Sequence, residues 1–274
     1  MPGLRKIGLS EMEEKMTAIE KELQKIGKTE ERLRRQAEKK STPIWKAKLE
    51  EKIPVKVMAG LQKVFSKAFY LIFEKGSVII EKTYNKDFIA KDFQINDYAV
   101  DIKGNRKVIR HMKNDAFGSN ALNTVVTTIE GIGLGAFGIG LPDIVVWVGI
   151  LMRGIYETAL QYGFDYELRE ERLFILQMIE TSMQTGENWV ALNLEIDDYI
   201  SQAGHAIPDD TEMNEQIEKT ANSIATEMLV TKFIQGLPVV GVIGGVSNPI
   251  FYHKIMQYVQ LKYRKRYLLG KVKK

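Results

Sequence analysis

Four ionisable residues sit in unusually apolar company: Glu130, Asp143, Arg153 and Glu157, all within TVVTTIEGIGLGAFGIGLPDIVVWVGILMRGIYETALQ at 124–161. Charges in such surroundings need partners, which makes them the first candidates for chemistry. Arg153 and Glu157 are one helical turn apart and suited to pair directly. Asp143 with Arg153 and Glu157 would be the centre of a hydrolase acting on lipid or peptide; equally, Asp143 caps a helix and a carboxylate neutralises Arg153. A Glu130/Asp143 acid–base dyad is conceivable, but nothing in the spacing sets its carboxylates at a working distance. Other chemistries lack their residues. The chain has no Cys, and His111, His205 and His253 are widely separated, so no thiol chemistry and no metal-ligand spacing is expected. There is no G-x-x-x-x-G-K-[ST] loop and no G-x-S-x-G elbow. No cofactor is expected.

The elements that must position these residues read as helices. In 274 residues, 45% hydrophobic and 27% charged, all seven prolines fall at plausible ends, breaks or kinks, and no period-two strand stands out. An all-α, multi-helix domain follows. Met12, Met16, Ile19, Leu23, Ile26, Glu30 and Leu33 keep a four-three spacing. That is a coiled-coil-like arm over 1–40, which either meets a partner helix or a second copy through 11–35 or packs on the domain at 41–274. Pro54 opens an amphipathic helix with Leu61, Phe65, Ala68 and Phe69 on one face and Lys56, Lys63 and Lys67 on the other. It suits a membrane surface or a core with a solvated lysine face.

Two apolar segments are rich in glycine. The first carries Gly131, Gly133, Gly135, Gly138 and Gly140 ahead of Pro142, and reads as two apolar arms with Asp143 capping the second. The second, FIQGLPVVGVIGGVSNPIFYH at 233–253, has no Lys, Arg, Asp or Glu, yet Pro238, Pro249, Asn248, Gly241, Gly244 and Gly245 break it. Both therefore read as broken helical hairpins, buried in protein or re-entrant in a bilayer, rather than straight spans. Gly131-x-x-x-Gly135 and Gly241-x-x-x-Gly245 would let them pack closely. Between them, Asp165 and the Pro208-Asp209-Asp210-Thr211 run are expected to start further helices, with Gly163 ending one.

Charge is segregated. Residues 1–50 carry 13 Lys/Arg against 9 acids, 51–113 carry 13 against 7, 114–253 carry 5 against 19, and 254–274 carry 8 against none. The modest net of +4 is thus a cancellation. The acidic centre disfavours nucleic acid. The basic end, with Lys262, Arg264, Lys265, Arg266, Lys271, Lys273 and Lys274, is expected to contact anionic lipid, at roughly 1 kcal/mol per cation. Met1 to Gly8 lacks the apolar core of a secretory signal, so a cytoplasmic location, peripheral or re-entrant at the inner membrane face, is expected.

Gly138-Ile-Gly-Leu-Pro-Asp143-Ile, Arg153, Tyr162-Gly163-Phe164-Asp165 and Glu171-Arg172-Leu173, with Leu237-Pro-Val-Val-Gly241-Val-Ile-Gly-Gly245-Val-Ser-Asn248 and the basic Tyr263-Arg264-Lys265-Arg266, resemble the bacterial EcsC family over roughly residues 40–270. Ser247 and Pro249 depart from the family's small and aromatic residues around Asn248. The resemblance implies an all-α, membrane-linked protein, related to one encoded beside an Ecs-type ABC transporter, and implies no reaction. The expected role is an accessory or interaction protein at the membrane or on a transporter. A soluble hydrolase and a membrane-permeabilising protein are the alternatives.

Overall fold

The computed structural model describes residues 17–40, 53–73, 80–103, 109, 142–202, 204–234 and 249–272. The described residues hold helices and no strand: α1 (Ala18–Lys40), α2 (Val55–Leu71), α3 (Lys86–Lys103), α4 (Pro142–Gln161), α5 (Arg169–Met183), α6 (Gly186–Ser201), α7 (Asp210–Ile234) and α8 (Pro249–Val272). Gly131, Gly135, Gly138, Gly140, Gly241, Gly244, Gly245 and Asn248 lie outside them, as do Glu130, Lys273 and Lys274. The glycine-rich stretches of the expected hairpins therefore fall outside the described residues, while the second arm of the first begins α4. Of that group only Pro142 is described, as the first residue of α4, where its missing N–H costs nothing.

α4 is the core helix. Ile144, Val145, Val148, Leu151, Met152, Ile155 and Tyr156 are all fully buried, as a helix apolar on nearly every side requires. α2 and α3 pack on it, α7 covers α2 and α5, and α8 contacts α1, α4, α5 and α6. The lysine face of α2 is exposed while Leu61, Phe65, Ala68 and Phe69 enter the core, with Phe65 edge-on to Trp147 at 6.0 Å. α1 opens with a reciprocal capping box, Thr17 N–H to Glu20 Oε2 (2.7 Å) and Glu20 N–H to Thr17 Oγ1 (3.2 Å). It lies against α6 and α8, with Ile26 and Ala37 buried there. Of the two expectations for this arm, packing on its own domain is the one observed.

Two expected caps shift. Asp143 is not the cap of α4 but sits in its first turn, exposed, where a carboxylate still favours the positive helix end. Asp165 does not start a helix: its Oδ1 accepts the Glu167 N–H at 2.9 Å within a turn, and α5 begins four residues later with Leu168 as its N-cap. Asp209, by contrast, accepts the Glu212 N–H at 2.9 Å at the start of α7, as expected.

α4 ends in a Schellman turn, Gly163 N–H to Leu160 O (3.0 Å) and Phe164 N–H to Ala159 O (2.9 Å). Gly163 has φ +79°, and a β-carbon there would lie 2.3 Å from Phe93 Cζ. Backbone sign and packing against α3 both require glycine.

Candidate functional site

Arg153 and Glu157 face inward from the middle of α4. Arg153 Nε donates to Glu157 Oε1 at 3.0 Å, and the two residues are 6% and 8% exposed. The guanidinium carbon stands 6.0 Å from the centre of the Tyr84 ring. Burial, then the Glu157 charge, push the Tyr252 hydroxyl upward, while Arg153 opposes them. Asp143 does not join this group: ten residues along the same helix put it about 15 Å away, on exposed surface. The expected triad is thus a closed ion pair and a separate first-turn carboxylate.

Beside this pair runs a chain of hydroxyls. Tyr84 OH donates to Tyr166 OH (2.7 Å), which donates to Glu81 Oε1 (2.6 Å). Tyr166 is fully buried and stacks on Tyr156 with ring centroids 4.0 Å apart. Lys86 pairs with Glu167 and lies 3.8 Å from Glu81. Burial holds the Tyr84 and Tyr166 hydroxyls well above the ordinary phenol range; for Tyr166 the bonds to Glu81 and Tyr84 add to it. These are therefore donors at neutral pH. Tyr156 OH is fully buried and has no hydrogen-bond partner among the described residues. Tyr166, the next residue after the Tyr162–Asp165 motif, went unmarked by sequence reasoning, as did Tyr84 and Glu81. The only available signal was the concentration of tyrosine around that motif. Among the described residues no cluster of three or more His, Asp or Glu is placed to hold a metal ion.

The largest departure from expectation is α8. Lys262 is 0% exposed and its ammonium lies 2.6 Å from both Glu30 Oε1 of α1 and Asp197 Oδ1 of α6. Lys265 reaches the same two carboxylates at 2.9 Å. Arg264 pairs with the buried Glu22, and Lys254 reaches Glu227 of α7 at 2.9 Å. Arg266 meets Glu171 of α5 at 2.8 Å, with its guanidinium carbon 4.1 Å from the Phe164 ring centre. Lys271 lies 2.7 Å from Asp97 of α3 and also pairs with Asp101. So Lys262, Arg264, Lys265, Arg266 and Lys271 face carboxylates of the chain itself instead of forming a free basic tail. The carboxylates that meet α8 come both from the acidic centre, as Glu171, Asp197 and Glu227, and from the two basic segments before it, as Glu22, Glu30, Asp97 and Asp101. Burial raises the Glu171 carboxyl, against the pull of Arg266 and the Tyr263 hydroxyl, which donates to it at 2.7 Å.

α4 and α8 also run parallel. Gly154 meets Tyr252 and Met256 near the start of α8, where a β-carbon would lie 2.5 Å from the Tyr252 hydroxyl, and Tyr162 meets Tyr267 further along, at 5.9 Å between ring centroids.

The model of the EcsC protein family matches residues 17–268. The chain belongs to the EcsC protein family. The match takes in α1, the arm whose Glu22 and Glu30 pair with α8. Comparison of this EcsC chain with curated proteins and with solved structures returned no match.

Proposed function

We propose that this EcsC-family chain is an accessory or interaction protein acting at the cytoplasmic face of a membrane, on the bilayer or on a transporter within it. The glycine-rich apolar segments before α4 and α8 make the contact, and the bundle is their rigid support. The observation that carries this reading is the parallel packing of α4 and α8. Parallel neighbours are entered from the same end, so both segments join the bundle on one side. Among the described residues no helix is long and apolar enough to cross a membrane.

Because the α8 cations face internal carboxylates, attraction to anionic headgroups is secondary, and binding is apolar and nearly insensitive to salt. Flotation with phosphatidylglycerol/phosphatidylcholine vesicles tests this. The full chain should float at low and high salt, and Leu134→Asp or Val242→Asp should each weaken binding about a hundredfold, since a buried carboxylate costs about 3 kcal/mol of insertion. Failure to float, or flotation indifferent to both substitutions, would overturn vesicle contact; a transporter target would then need direct binding to the purified transporter.

A further inference from the structure

α1 lies on the bundle without being part of its core. Among its described residues only Glu22, Ile26 and Ala37 are buried, with Ile19, Leu23 and Leu33 partly covered against α6 and α8. Charge does much of the holding. Glu22 pairs with Arg264, and Glu30 pairs with Lys262 and Lys265, one on each side in sequence of the buried Ile26. A contact so rich in charge resembles a transient interface more than the apolar interior of an obligate one. Opening it hydrates three cations and two carboxylates, which offsets part of the cost of exposing Ile26 and Ala37. α1 also holds its own helix together, through the Thr17/Glu20 capping box and the pairs Glu31–Arg34 and Glu31–Arg35 at 2.8 Å. It is built to leave as an intact helix.

α1 itself displays what the face beneath it recognises: glutamate, isoleucine and glutamate at successive spacings of four, at 22, 26 and 30. With α1 lifted, Lys262, Arg264 and Lys265 keep one carboxylate among the described residues, Asp197, so the face becomes cationic. α1 is also an imperfect occupant. Arg264 Nε is buried with no hydrogen-bond partner among the described residues, an acceptor position that a better-fitting helix would fill. The α1 of a second copy would leave the same donor unpaired while competing with the chain's own arm, which a short tether holds at a roughly millimolar effective concentration. We infer that the face of α6 and α8 beneath α1 docks an acidic amphipathic helix of a partner protein, with glutamates four residues to either side of a buried aliphatic, and that α1 is the built-in competitor covering it. This inference does not rest on the membrane reading above, whose contacts lie in other segments.

The test uses the full chain and a labelled synthetic peptide of residues 17–40. Hydrogen exchange of the wild-type chain should show α1 opening at least about tenfold more often than α4 or α5. The variant Glu22→Gln/Ile26→Asp/Glu30→Gln loses the anchors of its own arm. By fluorescence anisotropy it should bind the peptide at least about a hundredfold more tightly than the wild-type chain, whose face is occupied. The same peptide carrying Glu22→Gln/Glu30→Gln should bind that variant about tenfold or more weakly by comparison. If the triple variant fails to fold, Ile26→Asp alone should raise peptide affinity in the same direction. Exchange of α1 only together with the whole bundle, equal affinity of the wild-type and opened chains for the peptide, binding indifferent to the peptide's glutamates, or a wild-type dimer in sedimentation that Ile26→Asp abolishes would each overturn the proposal.

Discussion

Replacing Lys262 by Met tests the central claim about α8. The ammonium is wholly buried between Glu30 and Asp197 at 2.6 Å from each, and among the described residues Lys265 is the only other cation that reaches both. Met has a similar shape, so packing is nearly conserved and the change isolates charge. Two carboxylates would then share one cation in a poorly solvated place, and breaking a buried pair by removing one partner costs about 3–5 kcal/mol. For a chain of this size that corresponds to a fall in Tm of roughly 6–20 °C. A solvated lysine on a membrane-facing tail would cost about 0–1 kcal/mol and respond to salt. The assay is thermal unfolding followed by circular dichroism at low and high NaCl, with Lys262→Met/Asp197→Leu as the compensating double variant. The double variant should recover part of the loss, because it also removes one of the stranded carboxylates. A fall below about 3 °C, or one that high salt abolishes, would show that Lys262 is solvated and refute the internal network.

Two further outcomes concern Gly163 and His205. Gly163→Ala must hold a side chain at φ +79° and 2.3 Å from Phe93 Cζ, so it should cost at least about 2 kcal/mol; Gly163→Ala/Phe93→Leu should recover the steric part but not the backbone part, read by urea unfolding. His205, stacked on Tyr199 at 3.5 Å, is held below its ordinary 6.5 by burial and then by Arg266. The folded state therefore binds this proton less well than the unfolded chain, so the contribution is complete above pH 6.5 and declines as pH falls below it. An NMR titration of His205 should give a midpoint under 6.5, and His205→Gln should flatten the loss of stability in that window; a midpoint above 6.5 contradicts the assignment.

The helical architecture was legible because periodicity is local. Leu61, Phe65, Ala68 and Phe69 repeat at helical spacing and are buried as that spacing demands. The Arg153–Glu157 pair was legible for the same reason, being one turn apart. Caps were less so: Asp143 and Asp165 have the right side chain, but Pro142 already occupies the first turn and Asp165 is spent on its own turn. Least legible were contacts whose partners lie far away in sequence. Lys262 and Glu30 are 232 residues apart, and a basic helix looks like a surface helix until its acids are located. The Tyr84–Tyr166–Glu81 chain joins residues from opposite sides of the first glycine-rich segment, so no spacing announces it.

The way α8 is neutralised also bears on when the protein can fold. Its partners are drawn from α1, α3, α5, α6 and α7, so carboxylates from five helices are synthesised before the cations that pair with them. At translation speeds of about 5–20 residues per second, Glu30 waits on the order of ten to fifty seconds for Lys262. Until then Glu22, Glu30 and Glu171 keep their hydration, because burying them unpaired is unfavourable. Burial of these acids in the bundle therefore waits on the emergence of α8.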